Sequence, residues 1–219
     1  RAQPGEDVRD YVIESAPGHP GLVALAFPWD GTDAFAAMLE RLRWFAPLIA
    51  ITRDSGEGRV RLTRAGTARV DYDLAPGDVA TMRHALVRMA RIARAAGAQA
   101  IVAVGTPPAW HGRDGFPPGG EERAFRSFEE RLARFDFAPN RATVFSAHQM
   151  GTARAGADRR DHACDPRGRV RAGAGSWDEV VRGLHVGDGS LFPTGIAVNP
   201  MLTVMALARR VARTVLAEG

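Results

Sequence analysis

The chain has 219 residues, 45% hydrophobic and 25% charged, which suits a globular protein able to bury its own core. No run approaches the roughly 18 continuous apolar residues of a membrane span, and Arg1–Asp7 has no apolar segment behind it to read as a signal peptide. The formal charge is +4 and all 29 basic residues are arginine, but they alternate with acids, as in Glu121-Glu122-Arg123, which argues against a nucleic-acid binder.

The apolar runs Tyr11-Val12-Ile13-Glu14 and Leu22–Phe27 read as strands. Thr32 or Asp33 caps a predicted helix through Phe35, Met38, Leu39 and Leu42. Leu48–Thr52 is a further apolar strand. Arg59–Thr63 and Arg69–Tyr72 alternate polar and apolar residues around Ala65-Gly66-Thr67, which predicts a hairpin with one wet face. Asp78 is expected to cap a helix whose apolar positions include Val79, Met82, Leu86, Met89, Ile92 and Ala93, stopping at Ala96-Gly97.

Ala100–Val104 reads as a strand, and Gly105–Gly120 as a long Gly- and Pro-rich loop. Phe125, Phe128, Leu132 and Phe135 mark another amphipathic helix. Residues 157–178 are polar and glycine-rich, a predicted surface excursion. Leu184-His185-Val186-Gly187 reads as a short buried strand, and Pro200 opens a final helix through Met201, Val204, Met205, Leu207, Ala208 and Val211. The single Cys164 excludes an internal disulfide and fits a reducing compartment, so a cytoplasmic or membrane-peripheral location is expected. Without an initiator Met, the chain reads as processed, trimmed or a fragment.

Taken singly, the polar residues near the C-terminal end have bland readings. His148 follows a strand and precedes Gly151, and Asp188-Gly189 reads as a turn. Asn199-Pro200 reads as a helix cap followed by the first helical residue. Asp161-His162-Ala163-Cys164-Asp165 holds metal-ligand types, but no second cluster completes a site, so no metal is expected. His19, His84 and His111 have no obvious partner, and neither a Gly-x-Ser-x-Gly elbow nor a P-loop is present.

Three segments together resemble the C-terminal region of the glucose–methanol–choline (GMC) flavoprotein oxidoreductases, nearest to the long-chain alcohol oxidase branch. They are Ser146–Thr152 with Arg154 and Gly156, Gly187–Thr194, and Val198–Met201 with Thr203. Upstream, Arg53-Asp54, Gly58, Val60, Tyr72, Asp78 and Ala95–Ala98 look like that branch's substrate domain. Where the family often shows Gly-Thr-Cys-Arg-Met-Gly, this chain has Gly151-Thr152-Ala153-Arg154-Ala155-Gly156; both replacements are small and apolar and bear on packing more than on chemistry.

The resemblance implies FAD as cofactor and hydride transfer from an alcohol carbon to flavin N5, giving an aldehyde or ketone, with a hydrophobic long-chain or sterol-like alcohol as substrate. His148 and Asn199 match the family's active-site pair. Asp188 and Gly189 match residues beside the flavin's ribityl or phosphate portion. Pro200, Met201 and Thr203 match the helix head aimed at its N1/C2 edge. The implied architecture is α+β: residues 1–140 form a substrate-binding domain, a mostly antiparallel sheet with helices on one side. Residues 141–219 are the returning segment that completes an FAD-binding α/β domain.

The Gly-x-Gly-x-x-Gly turn that seats the ADP half of FAD is not found in this sequence, so the implied partner is an N-terminal FAD-binding portion. The rival reading is a non-catalytic fragment or degenerate homologue serving in binding or assembly.

Overall fold

The computed structural model describes residues 11–29, 31–116, 118–173 and 179–218. The reading of Arg1–Asp7, and the parts of the 105–120 and 157–178 stretches at residues 117 and 174–178, lie outside the described residues. Helices combine with short antiparallel ladders, the mixed α+β class expected. The ladders are four separate two-stranded pairs among the described residues; they do not join into a continuous sheet. The chain divides into two compact units, residues 1–52 with 76–145, and 53–75 with 146–219.

In the first unit, strand β1 (Tyr11–Ser15) pairs antiparallel with β2 (Leu48–Thr52), Tyr11 opposite Thr52. The run predicted as a strand over Leu22–Phe27 is instead part of helix α1 (Pro20–Ala26). Six apolar residues in a row carry no period, whereas the local signals do: His19 Nδ1 accepts from the Gly21 N–H at 3.1 Å, and Pro20 stands at the start where its missing N–H costs nothing. Helix α2 (Thr32–Glu40) forms where predicted, but Gly31, not Thr32 or Asp33, holds the cap position, and Leu42 falls in a separate 3₁₀ turn, Leu42–Trp44, beyond the helix end.

Helix α3 (Pro76–Ala95) begins earlier than expected; Asp78 lies in its first turn and is buried, not ahead of it. Its most deeply buried residues are Ala85 and Ala90, while Ile92, on the predicted apolar stripe, stays 46% exposed. Small residues let α3 approach helix α4 (Glu121–Ala133) closely. Phe125, Phe128 and Leu132 of α4 are buried against Ala90, with Leu86, Val87 and Phe135 around them, as the helical spacing required.

The pair β5 (Ile101–Ala103) and β6 (Ala109–His111) closes this core, so part of the predicted loop is a strand. His111 is buried there, its ring centroid within 5.5 Å of those of Phe116, Phe125 and Phe128. Burial first, and the nearby Arg94 charge second, hold its imidazole below the usual histidine range.

The second unit starts with the predicted hairpin, β3 (Gly58–Leu62) and β4 (Ala68–Tyr72) in register from Gly58–Tyr72 to Leu62–Ala68, but the expected single wet face is not found, since every strand residue except Asp71 is exposed. Its turn is closed by the Thr63 and Thr67 hydroxyls at 2.7 Å. Strands β7 (Arg169–Arg171) and β8 (Val180–His185) form the second ladder, so the strand expected at 184–187 lies earlier and is not buried, with Leu184 48% exposed, and helix α5 (Met201–Glu218) ends the described chain. Cys164, Leu191 and Val211 are the buried centre, joined by Ala153, Ala155, Val170, Val186 and Leu207.

The expected surface excursion over 157–178 is therefore wrong for its middle. Cys164 is fully buried and Asp165 nearly so. Burial pushes the Cys164 thiol up, away from the reactive thiolate. Burial alone raises the Asp165 carboxyl as well. The Arg169 guanidinium, with the Arg167 and Arg169 N–H groups, outweighs that and holds it below the usual carboxylate range. Gly168 (φ +82°) makes this turn possible, since a Cβ there would lie 2.6 Å from Val211 Cγ2.

Candidate functional site

His148, Asp188 and Asn199, with the other residues of the three C-terminal segments, all fall in the second unit. A ladder of backbone bonds organises them. The N–H groups of Gly151, Ala153 and Ala155 donate to the carbonyls of Gly189, Ser190 and Leu191 at 3.1–3.3 Å. The segment after His148 therefore lies along a single 3₁₀ turn, Gly189–Leu191. Alternation along it sends Ala153 and Ala155 into the core beside Cys164 and Leu191, and Arg154 outward to Glu57 at 3.0 Å. The two departures from the family pattern are thus packing positions.

Asp188 caps the turn, its Oδ1 accepting from the Ser190 N–H at 2.8 Å. That backbone bond is the main cause that holds its carboxyl below the usual range, and the group stays exposed. Gly189 is required by close approach: a Cβ there would meet the Gln149 carbonyl at 3.0 Å. Gly151 (φ +76°) occupies left-handed backbone with the Phe192 carbonyl 3.3 Å from a hypothetical Cβ. Gln149 Nε2 donates back to the Ser146 carbonyl, bending the chain around His148, whose side chain is exposed.

Asn199 and Pro200 stand at the head of α5. The first i to i+4 bond runs from the Val204 N–H to the Pro200 carbonyl at 2.8 Å, so Pro200, not Asn199, occupies the cap and the helix starts at Met201. Pro200 is buried, while Asn199, Met201 and Thr203 are exposed. The structure brings Gln149 and Gly151 against Gly189. It joins α5 to the same turn further down, through Leu207, Ala208 and Val211 packing on Val186, Gly187 and Leu191.

Two supports escaped sequence reasoning. The Tyr72 hydroxyl donates to Asp54, and Gly195, four residues before Asn199, sits over that carboxylate, where a Cβ would lie 3.2 Å from Asp54 Oδ1. The hairpin thereby braces the loop leading to α5. Only the resemblance had marked Asp54 and Tyr72; no local pattern ties residues so far apart in sequence. Among the described residues no group of three or more metal-ligating side chains gathers, and no helix is long and apolar enough to cross a membrane.

Residues 54–208 match the family described as GMC oxidoreductase, in its C-terminal region. A GMC-type oxidoreductase of uncharacterised activity from Mycobacterium tuberculosis is 34% identical over 94% of this chain and 29% of its own length. A long-chain-alcohol oxidase of Arabidopsis thaliana is 29% identical over 91% of this chain and 25% of its own. A GMC-type oxidoreductase from Sinorhizobium fredii is also 29% identical, over 91% of this chain and 36% of its length. The chain thus spans between a quarter and somewhat over a third of these relatives. A profile match over most of the sequence, which includes the residues that build the turn and the head of α5, makes this chain a member of the GMC oxidoreductase family.

Proposed function

We propose that the protein carrying this chain is an FAD-dependent alcohol oxidoreductase, to which the chain contributes the residues that handle the alcohol. The observation that carries this reading is the backbone ladder from Gly151–Ala155 to Gly189–Leu191. It holds the residues beside His148 and Asp188 in one rigid turn, as a preorganised site requires.

The residues present fit one side of a flavin nucleotide. Asp188 offers an exposed carboxylate held ionised by its own turn, suited to accept from a sugar-alcohol hydroxyl. The first-turn N–H groups of α5, at Met201 and Thr203, lack an i−4 partner, and this positive helix end suits an edge that gains negative charge. FAD, when bound, supplies the hydride acceptor. His148 takes the hydroxyl proton as the carbon-bound hydrogen leaves with its electron pair, and the alcohol departs as aldehyde or ketone. Asn199 holds the substrate oxygen. Pro200 fixes where the helix head begins.

Residues 1–140 serve as the substrate-binding portion and 141–219 complete the flavin domain. The remainder of the flavin site belongs to the N-terminal FAD-binding part that the longer relatives have length to carry. Similarity to long-chain-alcohol oxidases favours a hydrophobic alcohol.

The test is anaerobic stopped-flow reduction of the intact protein's flavin by a long-chain primary alcohol. His148→Ala is expected to slow it by about 10²-fold or more, the usual contribution of a positioned base, with flavin still bound. Near-normal reduction would remove His148 from the chemistry. An intact protein that carries no flavin would favour the non-catalytic reading instead.

A further inference from the structure

The C-terminal half of α5 carries a second polar feature, separate from the turn and the helix head. Arg167, Arg209, Arg210 and Arg213 line a cleft of about 670 Å³ with Ala206, Thr214, Ala217 and Glu218. Arg209 and Arg213 are i and i+4 on one helix face, and Arg167 reaches the same hollow from the Asp165 turn.

Several other arginines of this chain are matched by acids: Arg91 by Glu129, Arg94 by Glu122, Arg69 by Asp71, Arg154 by Glu57. Among the described residues the four cleft arginines have no carboxylate partner within 4 Å. The one acid in the lining, Glu218, is already engaged by Arg169 at 3.2 Å and His185 at 3.3 Å. The four guanidinium groups are exposed, and together they attract an anion to the hollow. Their planar forks match oxyanions two bonds at a time, and phosphate groups above all. A concave volume of this size suits a small ligand better than an extended strand of nucleic acid.

We infer that this cleft is a binding site for a ligand bearing two or more clustered phosphate groups, distinct from the proposed flavin site at the other end of α5. At 1.5 Å rise per residue, roughly 9 Å of helix separates Thr203 from Arg209 and about 15 Å separates it from Arg213. The chemistry is shared by a free polyphosphate and a phosphorylated lipid headgroup, and the assay distinguishes them.

The intact, flavin-loaded protein would be titrated with inorganic tripolyphosphate by calorimetry. In parallel it would be sedimented with phosphatidylcholine vesicles, with and without a polyphosphoinositide. Saturable binding is expected in at least one arm, falling as salt rises. Tripolyphosphate binding alone identifies a soluble ligand; capture by phosphoinositide vesicles alone identifies a headgroup. Arg209→Gln and Arg213→Gln should each weaken it about tenfold. The two are exposed and glutamine keeps helix propensity, so folding is preserved and checked by a thermal melt. Arg213→Lys keeps the charge but not the fork and should recover only part of the loss.

Binding in neither arm would overturn the assignment, as would binding indifferent to these substitutions. So would release of flavin by tripolyphosphate, since the two sites would then be one.

Discussion

Asp188 shows how one side chain serves two ends. Its Oδ1 closes the Gly189–Leu191 turn through the Ser190 N–H, and its exposed position leaves the carboxylate facing solvent. Asp188→Ala removes the cap and is expected to cost about 1 kcal/mol of stability, read as a lower midpoint in urea. The folded-state pKa lies below the ordinary aspartate value. The cap's contribution is therefore full above about pH 4 and fades as pH falls through the folded value. Wild type and Asp188→Ala should accordingly converge in stability in acid; a gap that stays constant down to pH 2 would show that ionisation plays no part.

The residue types at this site were legible in the sequence. Their bracing was not, because Asp54 and Gly195 meet across a long stretch of intervening chain.

At the scale of elements, what could be read depended on whether a segment displayed its period. Helix α4 did: Phe125, Phe128 and Leu132 stand three and four apart among charged residues, and all three are buried. Helix α1 did not, because Leu22–Phe27 is apolar throughout and only His19-Pro20 marked its start. The stretch around Cys164 misled for another reason. Asp165 and Arg169 look like surface residues one by one, and become tolerable inside only as a mutually bonded pair.

His111 belongs at this scale too, since it plugs the packing of β6 against α4. Its depressed pKa means that the unfolded chain takes up a proton first as pH falls. Stability is thus intact above about pH 6.5 and drops as pH moves from there through the lower folded value. The expected result is a thermal midpoint that declines between pH 7 and 5, with a shallower slope in His111→Phe, which keeps a ring among Phe116, Phe125 and Phe128. An unchanged slope would assign the acid sensitivity elsewhere.

Over the whole molecule, the compact units do not follow the order of the chain. The hairpin 53–75 belongs with 146–219, although residues 76–145 of the other unit come between. Its claims on that unit are specific: Glu57 pairs with Arg154, and Asp54 underlies Gly195. A piece comprising residues 146–219 alone should therefore unfold without a sharp transition, and adding 53–75 as a separate peptide should sharpen it. Cooperative melting of 146–219 by itself would show that the hairpin is only an accessory.

The same interleaving sets a timetable for the nascent chain. At about 5–20 residues per second, the hairpin leaves the ribosome roughly 4 to 16 seconds before Arg154 does. During that interval Glu57 and Asp54 have no counterpart from 146–219, and the hairpin stands alone as a two-stranded ladder. A slowed ribosome between codons 76 and 145 would lengthen that unsupported interval without altering a single residue of the finished protein.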